Sequence, residues 1–368
     1  WGEAVLDFLM CCETHAQLRR LSDFEAGYWV CAYAIRQHEL GIEVNVDLEQ
    51  CSFVKAMRAA CGVLLILDAQ VTPFRRIWCD YELYMALNHE GKMLDIVTVD
   101  TSKNDQAPQA HVLTREVLPK EGTMMKKRRE EQFPIALLAK GICVKLEDGE
   151  ATVEDDKKRI LHGMANDFMQ NGRQIQAALE MALRRANTAL NGYFALAAWP
   201  QAVRNNLVRD FDTAHPGTVS LPNVLIKDES LKVLSLNLSQ IEEITDAELK
   251  SIAKGLPPNL TTLELSFESC RRISDQGVEA LALKLGDKLR KIHLDFMGCV
   301  NITDTAIESI AKRIPASTVD LHLDFAKCSN ITANGAQFLA KYLSPIKLQH
   351  FKATFQGTHL NQNFADKR

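Results

Sequence analysis

The sequence predicts an α/β chain built in two styles: an open parallel sheet with helices on its faces, then a helical connector, then an α/β solenoid of repeated units. Three observations carry this. Gly62 to Leu67 is an unbroken apolar run, too short for an ordinary helix, as expected of a strand buried on both faces of a parallel sheet. Residues 167–220 are Ala-rich and helical in pattern. Beyond residue 221 several residue types recur with a spacing of 29: Leu231, Leu260 and Leu289; Leu263, Ile292 and Leu321; Phe267, Phe296 and Phe325; Cys270, Cys299 and Cys328; and Ile244, Ile273, Ile302 and Ile331. The expected domains are 1–166, 167–220 and 221–368.

Composition sets the class. Of 368 residues, 46% are hydrophobic and 24% charged, the balance of a globular protein, and the net charge of -4 gives no electrostatic reason to expect nucleic acid or an anionic membrane as partner. No apolar run reaches the ~20 residues a membrane span needs. Ten cysteines are scattered without a CxxC pair, which argues for free thiols and a reducing, cytoplasmic setting.

In chain order, residues 4 to 20 read as a helix with Val5, Leu6, Phe8, Leu9 and Cys12 on its inner face. Cys11, Cys12 and His15 therefore read as packing residues rather than metal ligands. A strand is expected from Tyr28 to Ala34, a polar loop over 35 to 50, and a short helix from Ser52 to Ala60 leading into the apolar strand. Pro73 biases Thr72 away from helix, so the next helix starts beyond it and runs from Ile77 to Leu87. Glu82 sits in the first two turns of that helix, past the carboxyl end of a strand, where open α/β sheets bind ligands. A strand follows at Leu94 to Val99. The polar stretch 100 to 133, with its run Lys126-Lys127-Arg128-Arg129-Glu130-Glu131, reads as a solvated face or loop. Gly141 to Leu146 reads as a last strand and Thr152 to Asn166 as a closing helix. The alternation of strand and helix implies parallel strands. In the connector Pro200 is expected to break the helix, and His215-Pro216-Gly217 marks a turn.

Trp78-Cys79-Asp80-Tyr81-Glu82-Leu83, a W-C-x-x-E-L pattern after an apolar strand and a short Pro-containing loop, resembles the third-helix motif of Toll/interleukin-1 receptor (TIR) domains. The resemblance covers roughly residues 1 to 165 and implies a flavodoxin-like parallel sheet. In TIR domains that cleave NAD the glutamate of this motif is catalytic; the matching residue is Glu82. The resemblance thus implies NAD as a substrate, no required cofactor, and self-association through a loop in the place of residues 35 to 50. A TIR-like sheet begins with a strand ahead of the first helix, so a chain cut upstream of Trp1 is expected.

The 29-residue period with LxxLxL strands resembles the leucine-rich repeat of the ribonuclease-inhibitor and cysteine-containing kinds. Its cysteine column reads as a ladder of inert thiols, Asn301 and Asn330 as turn residues rather than glycosylation sites, and Thr245 to Glu248 as a capping box. Phe351 and Phe355 suggest a degenerate fifth unit. Residues between the leucines face the concave side. In-register stacking aligns Glu264, His293 and His322 in one column and Ser266, Asp295 and Asp324 in the next, flanked by Lys291 and Asp320. An acidic, histidine-bearing face of this kind suits a basic protein partner better than a metal ion. Two functions follow. In one, the chain is a signalling scaffold whose repeats bind a protein while the TIR-like domain mediates assembly. In the other, Glu82 stabilises a ribosyl cation in an NAD glycohydrolase. No GxxxxGK[ST] phosphate loop accompanies either.

Overall fold

The computed structural model describes residues 5–22, 27–30, 47–88, 91–100, 107–169, 174–205, 208 and 220–359. Expectations for the strand beyond residue 30, for most of the 35–50 loop and for the turn at His215 lie outside these residues. The chain forms two compact units, residues 1–118 with 132–194, and residues 119–131 with 195–368.

In the first unit, helix α1 (Val5–Arg19) packs on a sheet of β1 (Gly62–Ile66), β2 (Met93–Asp100) and β3 (Gln109–Thr114), in the order β1-β2-β3. β1 and β2 are parallel, but β2 and β3 are antiparallel, with Val97 opposite Val112. This corrects the all-parallel expectation, and it puts a strand in the polar stretch 100 to 133, where none was expected. Too few residues separate β2 from β3 to house a crossover helix, so the chain can only turn back. Cys11, Val97 and Val112 form a buried cluster on which Leu18, Leu64 and Ile66 pack. Among the described residues β1 pairs with β2 alone, and Val63, Leu64 and Ile66 are half-buried rather than enclosed on both faces.

The inner face of α1 is also corrected. Val5, Leu6 and Leu9 are exposed, and Cys11, His15 and Leu18 point inward. A polar anchor sets this rotation: His15 Nε2 lies 2.9 Å from Asp95 Oδ2, and Arg19 donates to both oxygens of that carboxylate at 2.8 and 2.7 Å. His15 Nδ1 meets the Tyr28 hydroxyl at 2.7 Å. Burial pushes the Asp95 carboxyl up, but its bonds to His15 and Arg19 outweigh burial and hold it below the ordinary carboxylate value.

Helix α2 (Ser52–Ala59) leads into β1. A 3-10 turn over Thr72–Arg75 carries Pro73, and helix α3 (Ile77–Asn88) starts beyond it, as expected. After helix α4 (Thr123–Gln132), which belongs to the second unit, helix α5 (Ile135–Ile142) occupies the stretch expected to begin the last strand at Gly141. Leu137, Leu138, Gly141 and Ile142 are its buried face at helical spacing. Gly141 is required there, since a Cβ would lie 2.5 Å from the Phe194 ring. Leu146–Asp148 is then a 3-10 turn, and helix α6 (Glu154–Asn166) follows. Helix α7 (Ile175–Arg204) is continuous through Pro200, against the expected break, with Trp199, Ala202 and Val203 buried around it.

Asp80, on α3, is fully enclosed, and neither carboxyl oxygen has a hydrogen-bond partner. Burial pushes it up to about 9; Lys157 opposes the rise, and Asp148 and Glu147 add to it.

The second unit is a solenoid. After the short helix α8 (Leu221–Leu225), strands and helices alternate as β4 (Val233–Asn237), α9 (Asp246–Gly255), β5 (Thr262–Ser266), α10 (Asp275–Ala282), β6 (Lys291–Asp295), α11 (Asp304–Ala311), β7 (Asp320–Asp324), α12 (Ala333–Leu343) and β8 (His350–Thr354). All five strands are parallel and in register, Leu234 beside Leu263, Ile292, Leu321 and Phe351. The phenylalanine rings of successive units stack at 5.4, 5.9 and 5.9 Å from Phe267 to Phe355, so the degenerate fifth unit joins the column. The cysteines are free, and each thiol donates to a carbonyl of the preceding unit: Cys270 to Leu238, Cys299 to Phe267 and Cys328 to Phe296. Burial pushes Cys270 up to about 11 and Cys328 to about 12.

A second ladder joins the helix starts. Asp246 accepts from the backbone N–H and hydroxyl of Ser274, Asp275 from those of Thr303, and Asp304 from those of Thr332. Asn301 and Asn330, 29 apart, form a third, each donating to a carbonyl of the preceding unit, which accounts for the recurring asparagine; Asn259, at another place in its unit, donates to the Glu229 carbonyl. Thr245 and Glu248 make the expected capping box.

Two outcomes follow. Asp95→Ala removes the carboxylate shared by His15 and Arg19, leaving Arg19 only its pairing with the exposed Glu116, and is expected to cost about 3 kcal/mol, read by urea unfolding. The folded chain holds a proton on Asp80 that the unfolded chain releases above its ordinary value, so stability falls as pH rises from about 4 toward 9. Asp80→Asn is therefore expected to gain on wild type with rising pH, by at most about 1.4 kcal/mol per pH unit. Thermal melts at pH 5 and pH 8 check this.

Candidate protein-binding face and the Glu82 helix

The concave side of the solenoid is the outward face of β4 to β8. Register places Ser235, Glu264, His293, His322 and Lys352 in one row, and Asn237, Ser266, Asp295, Asp324 and Thr354 in the next. Lys291 pairs with Asp320 in a third row. The predicted residues are thus brought onto one surface.

Their roles differ. Asp295 and Asp324 each give one oxygen to the turn after the strand, accepting from the N–H of Met297 and Ala326 at 2.9 Å, and Asn237 does the same for Ser239 at 3.0 Å. Part of the acidic column is therefore turn chemistry. The second oxygen of Asp295 accepts from the Ser266 hydroxyl at 2.8 Å. Among the described residues the second oxygen of Asp324 and the whole Asp320 carboxylate make no hydrogen bond. Glu264 pairs with Lys291 at 2.7 Å. The rings of His293 and His322 stack with centroids 4.2 Å apart and planes 16° from parallel. Burial, then the neighbouring His293 and Lys352, hold His322 below its ordinary value, against the pull of Asp324 and Asp295.

One end of this face is covered by α4, which carries the charged run. Thr123 accepts a hydrogen bond from Asn237 at 2.9 Å, and the Lys127 ammonium donates to the Ser239 carbonyl. Lys126 and Glu130 form a buried pair, while Gln201 of α7 donates to the Glu130 carbonyl at 3.1 Å and Arg204 meets Glu131 at 2.8 Å. The charged run expected to be a solvated face is thus largely buried, with Lys126, Lys127 and Glu130 each under 5% exposed. Burial lowers Lys127 from the ordinary lysine value and raises Glu130, the latter opposed by Lys126. Thr123 and Met124 line, together with Glu264, Glu268, His293 and Asp295, a cleft of about 220 Å3. Glu268 and the α4 residues were missed in the sequence. Glu268 lies past the strand end in a turn that the alternation does not reach, and α4 is more than a hundred residues upstream.

In the first unit Glu82 is half-buried on α3. Burial pushes its carboxyl up to about 7, opposed by Arg76. Trp78 stacks on Phe53 at 4.8 Å with the Arg159 guanidinium over its ring, so this tryptophan packs α3 onto α2 and α6. A cavity of about 270 Å3 beside α3 is lined by Tyr81 and Met85, with Arg58, Arg159, His162 and Asp167; Glu82 is not in its wall. Among the described residues no three His, Cys, Asp or Glu side chains gather as a metal site, and no helix is long and apolar enough to cross a membrane.

A family model of the leucine-rich repeat matches residues 257–282, which hold β5 and α10. No curated protein matches the chain.

Replacing Lys127 by alanine strands the Ser239 carbonyl and is expected to cost about 1 to 3 kcal/mol, whereas alanine at the exposed Lys347 is expected to cost under about 0.5 kcal/mol. Urea unfolding monitored by tryptophan fluorescence distinguishes the two.

Proposed function

We propose that the chain is a protein-interaction scaffold whose leucine-rich repeats hold a basic segment of a partner on the concave face. The observation that carries this is the set of carboxylates on that face with capacity to spare. Asp320 and one oxygen of Asp324 are uncommitted; Asp324 stands in register with Asp295 on the neighbouring strand, and Asp320 with Lys291, which Glu264 also engages. A solenoid strand face is broad and pre-formed, and side chains that need no rearrangement bind at the least entropic cost. The TIR-like N-terminal domain supplies assembly in this reading, by pairing with its own kind in a reducing cytoplasm. That part rests on the W-C-x-x-E-L resemblance.

A second reading, favoured by one observation, is NAD glycohydrolysis with NAD as substrate and no cofactor. A carboxyl raised to about 7 is poised to exchange a proton near neutrality, and Glu82 is such a group. The neighbouring cavity, walled by Tyr81 and Met85 rather than by Glu82, weighs against it.

Selection of a random dodecapeptide library on the full chain tests the first reading. Enriched peptides are expected to carry Lys or Arg and to lose at least about tenfold in affinity against Asp320→Asn with Asp324→Asn, by the usual worth of charge-assisted contacts. Enriched peptides without a basic residue, or indifferent to both substitutions, would count against it. For the second reading, nicotinamide release by concentrated protein must appear and must vanish in Glu82→Ala; absence of release removes it.

A further inference from the structure

The paired imidazoles in the middle of the concave face have no part in folding the repeats. The leucine, phenylalanine, cysteine and aspartate ladders hold the units together without them. His293 and His322 are half-buried and stacked at 4.2 Å. His322 Nε2 is buried and has no hydrogen-bond partner. A proton added there would have no acceptor, and a second charge would face the first across a ring-to-ring contact.

The charged and titratable groups around the pair come from every strand beside it. On β5 stands Glu264, held by Lys291, with Glu268 in the turn past its end; on β6, Lys291 and Asp295; on β7, Asp320 and Asp324; on β8, His350 and Lys352. From α4 only Thr123 and Met124 share the cleft with His293, and neither titrates. With both rings neutral the carboxylates outnumber the lysines, five against two. Each proton taken by the pair removes one unit of that excess, and two protons remove most of it.

We propose that the His293–His322 pair is a pH-sensitive release element of this face: neutral and stacked near neutrality, where the carboxylates hold a basic segment, and protonated and parted on mild acidification, where the segment is let go. This rests on the basic-partner reading above. Histidine is the side chain whose ordinary titration falls in that window, and carboxylic acids as a class titrate below it. Loss of grip therefore tracks the imidazoles and not the acids.

The test uses the full chain and two measurements. In the first, ring resonances of the two histidines are followed by NMR from pH 8 to pH 5. Two separated steps are expected, and His293→Gln moves the remaining His322 step upward. Both rings titrating together at the ordinary value, unmoved by the substitution, overturns the proposal. In the second, binding of a hexa-arginine peptide is measured at pH 7.5 and pH 5.5. Affinity is expected to fall about tenfold in wild type and to stay within about twofold in His293→Gln with His322→Gln. Equal affinity at both pH values overturns the release element and leaves the acidic face standing. No binding at pH 7.5, or binding untouched by Asp320→Asn with Asp324→Asn, overturns the basic-partner reading and the release element with it.

Discussion

The C-terminal unit depends on one interaction: in three successive repeats the N–H of the residue that caps the helix is satisfied by the unit before it. The Ser274, Thr303 and Thr332 N–H groups are orphan donors of a helix N-terminus, and in each case the aspartate that accepts them belongs to the preceding unit. The same aspartate also takes the capping hydroxyl, so two bonds cross each of these three junctions. Close approach is needed, and Gly335 provides it, since a Cβ there would lie 2.8 Å from Asp304 Oδ1. With helix starts tied on one side and thiols tied to carbonyls on the other, the strands have one register open to them. The concave rows of acids and histidines inherit that register.

Legibility in the sequence followed the range of the interactions. The repeat array was readable because its contacts recur at a fixed distance along the chain, so a column of Leu, Phe or Cys is visible before any fold is known. In the first unit the elements were readable and their arrangement was not. Val112 and Leu113 announce little alone, and only the short link from β2 makes β3 antiparallel. Gly141-Ile142 reads as apolar strand until the preceding Leu137 and Leu138 are counted on the same helical face. Val5, Leu6 and Leu9 look like a core stripe, but the Asp95 carboxylate, far along the chain, turns His15 and Arg19 inward instead. Pro200 sits inside α7 despite its missing donor, buried among Trp199, Ala202 and Val203. Dense packing on all sides outweighs the loss of one bond.

The candidate site was legible to a similar degree. Alternation along the strands fixed which residues face outward, and stacking fixed their rows. What alternation cannot report is which oxygen of an aspartate is already spent on a turn, or that Lys127, in a run of charges that looked solvated, reaches the Ser239 carbonyl. Those facts come from contacts between segments with no shared periodicity. They also sharpen the chemistry: the strength of the face lies less in the number of its acids than in the uncommitted ones at Asp320 and Asp324. Glu82 presents the opposite case, a residue picked out by a motif but absent from the wall of the cavity beside its helix.

The aspartate ladder has a consequence for how such a chain can change length. Every rung joins a unit to the one before it through the same two bonds, and nothing in a rung depends on how many others there are. A gene duplication or loss of one whole 29-residue unit would keep each junction intact, whereas a change of a few residues would break the rung it falls in. The binding surface is therefore free to grow or shrink in steps of one strand, and the partner it fits can be exchanged by counting units rather than by redesigning them.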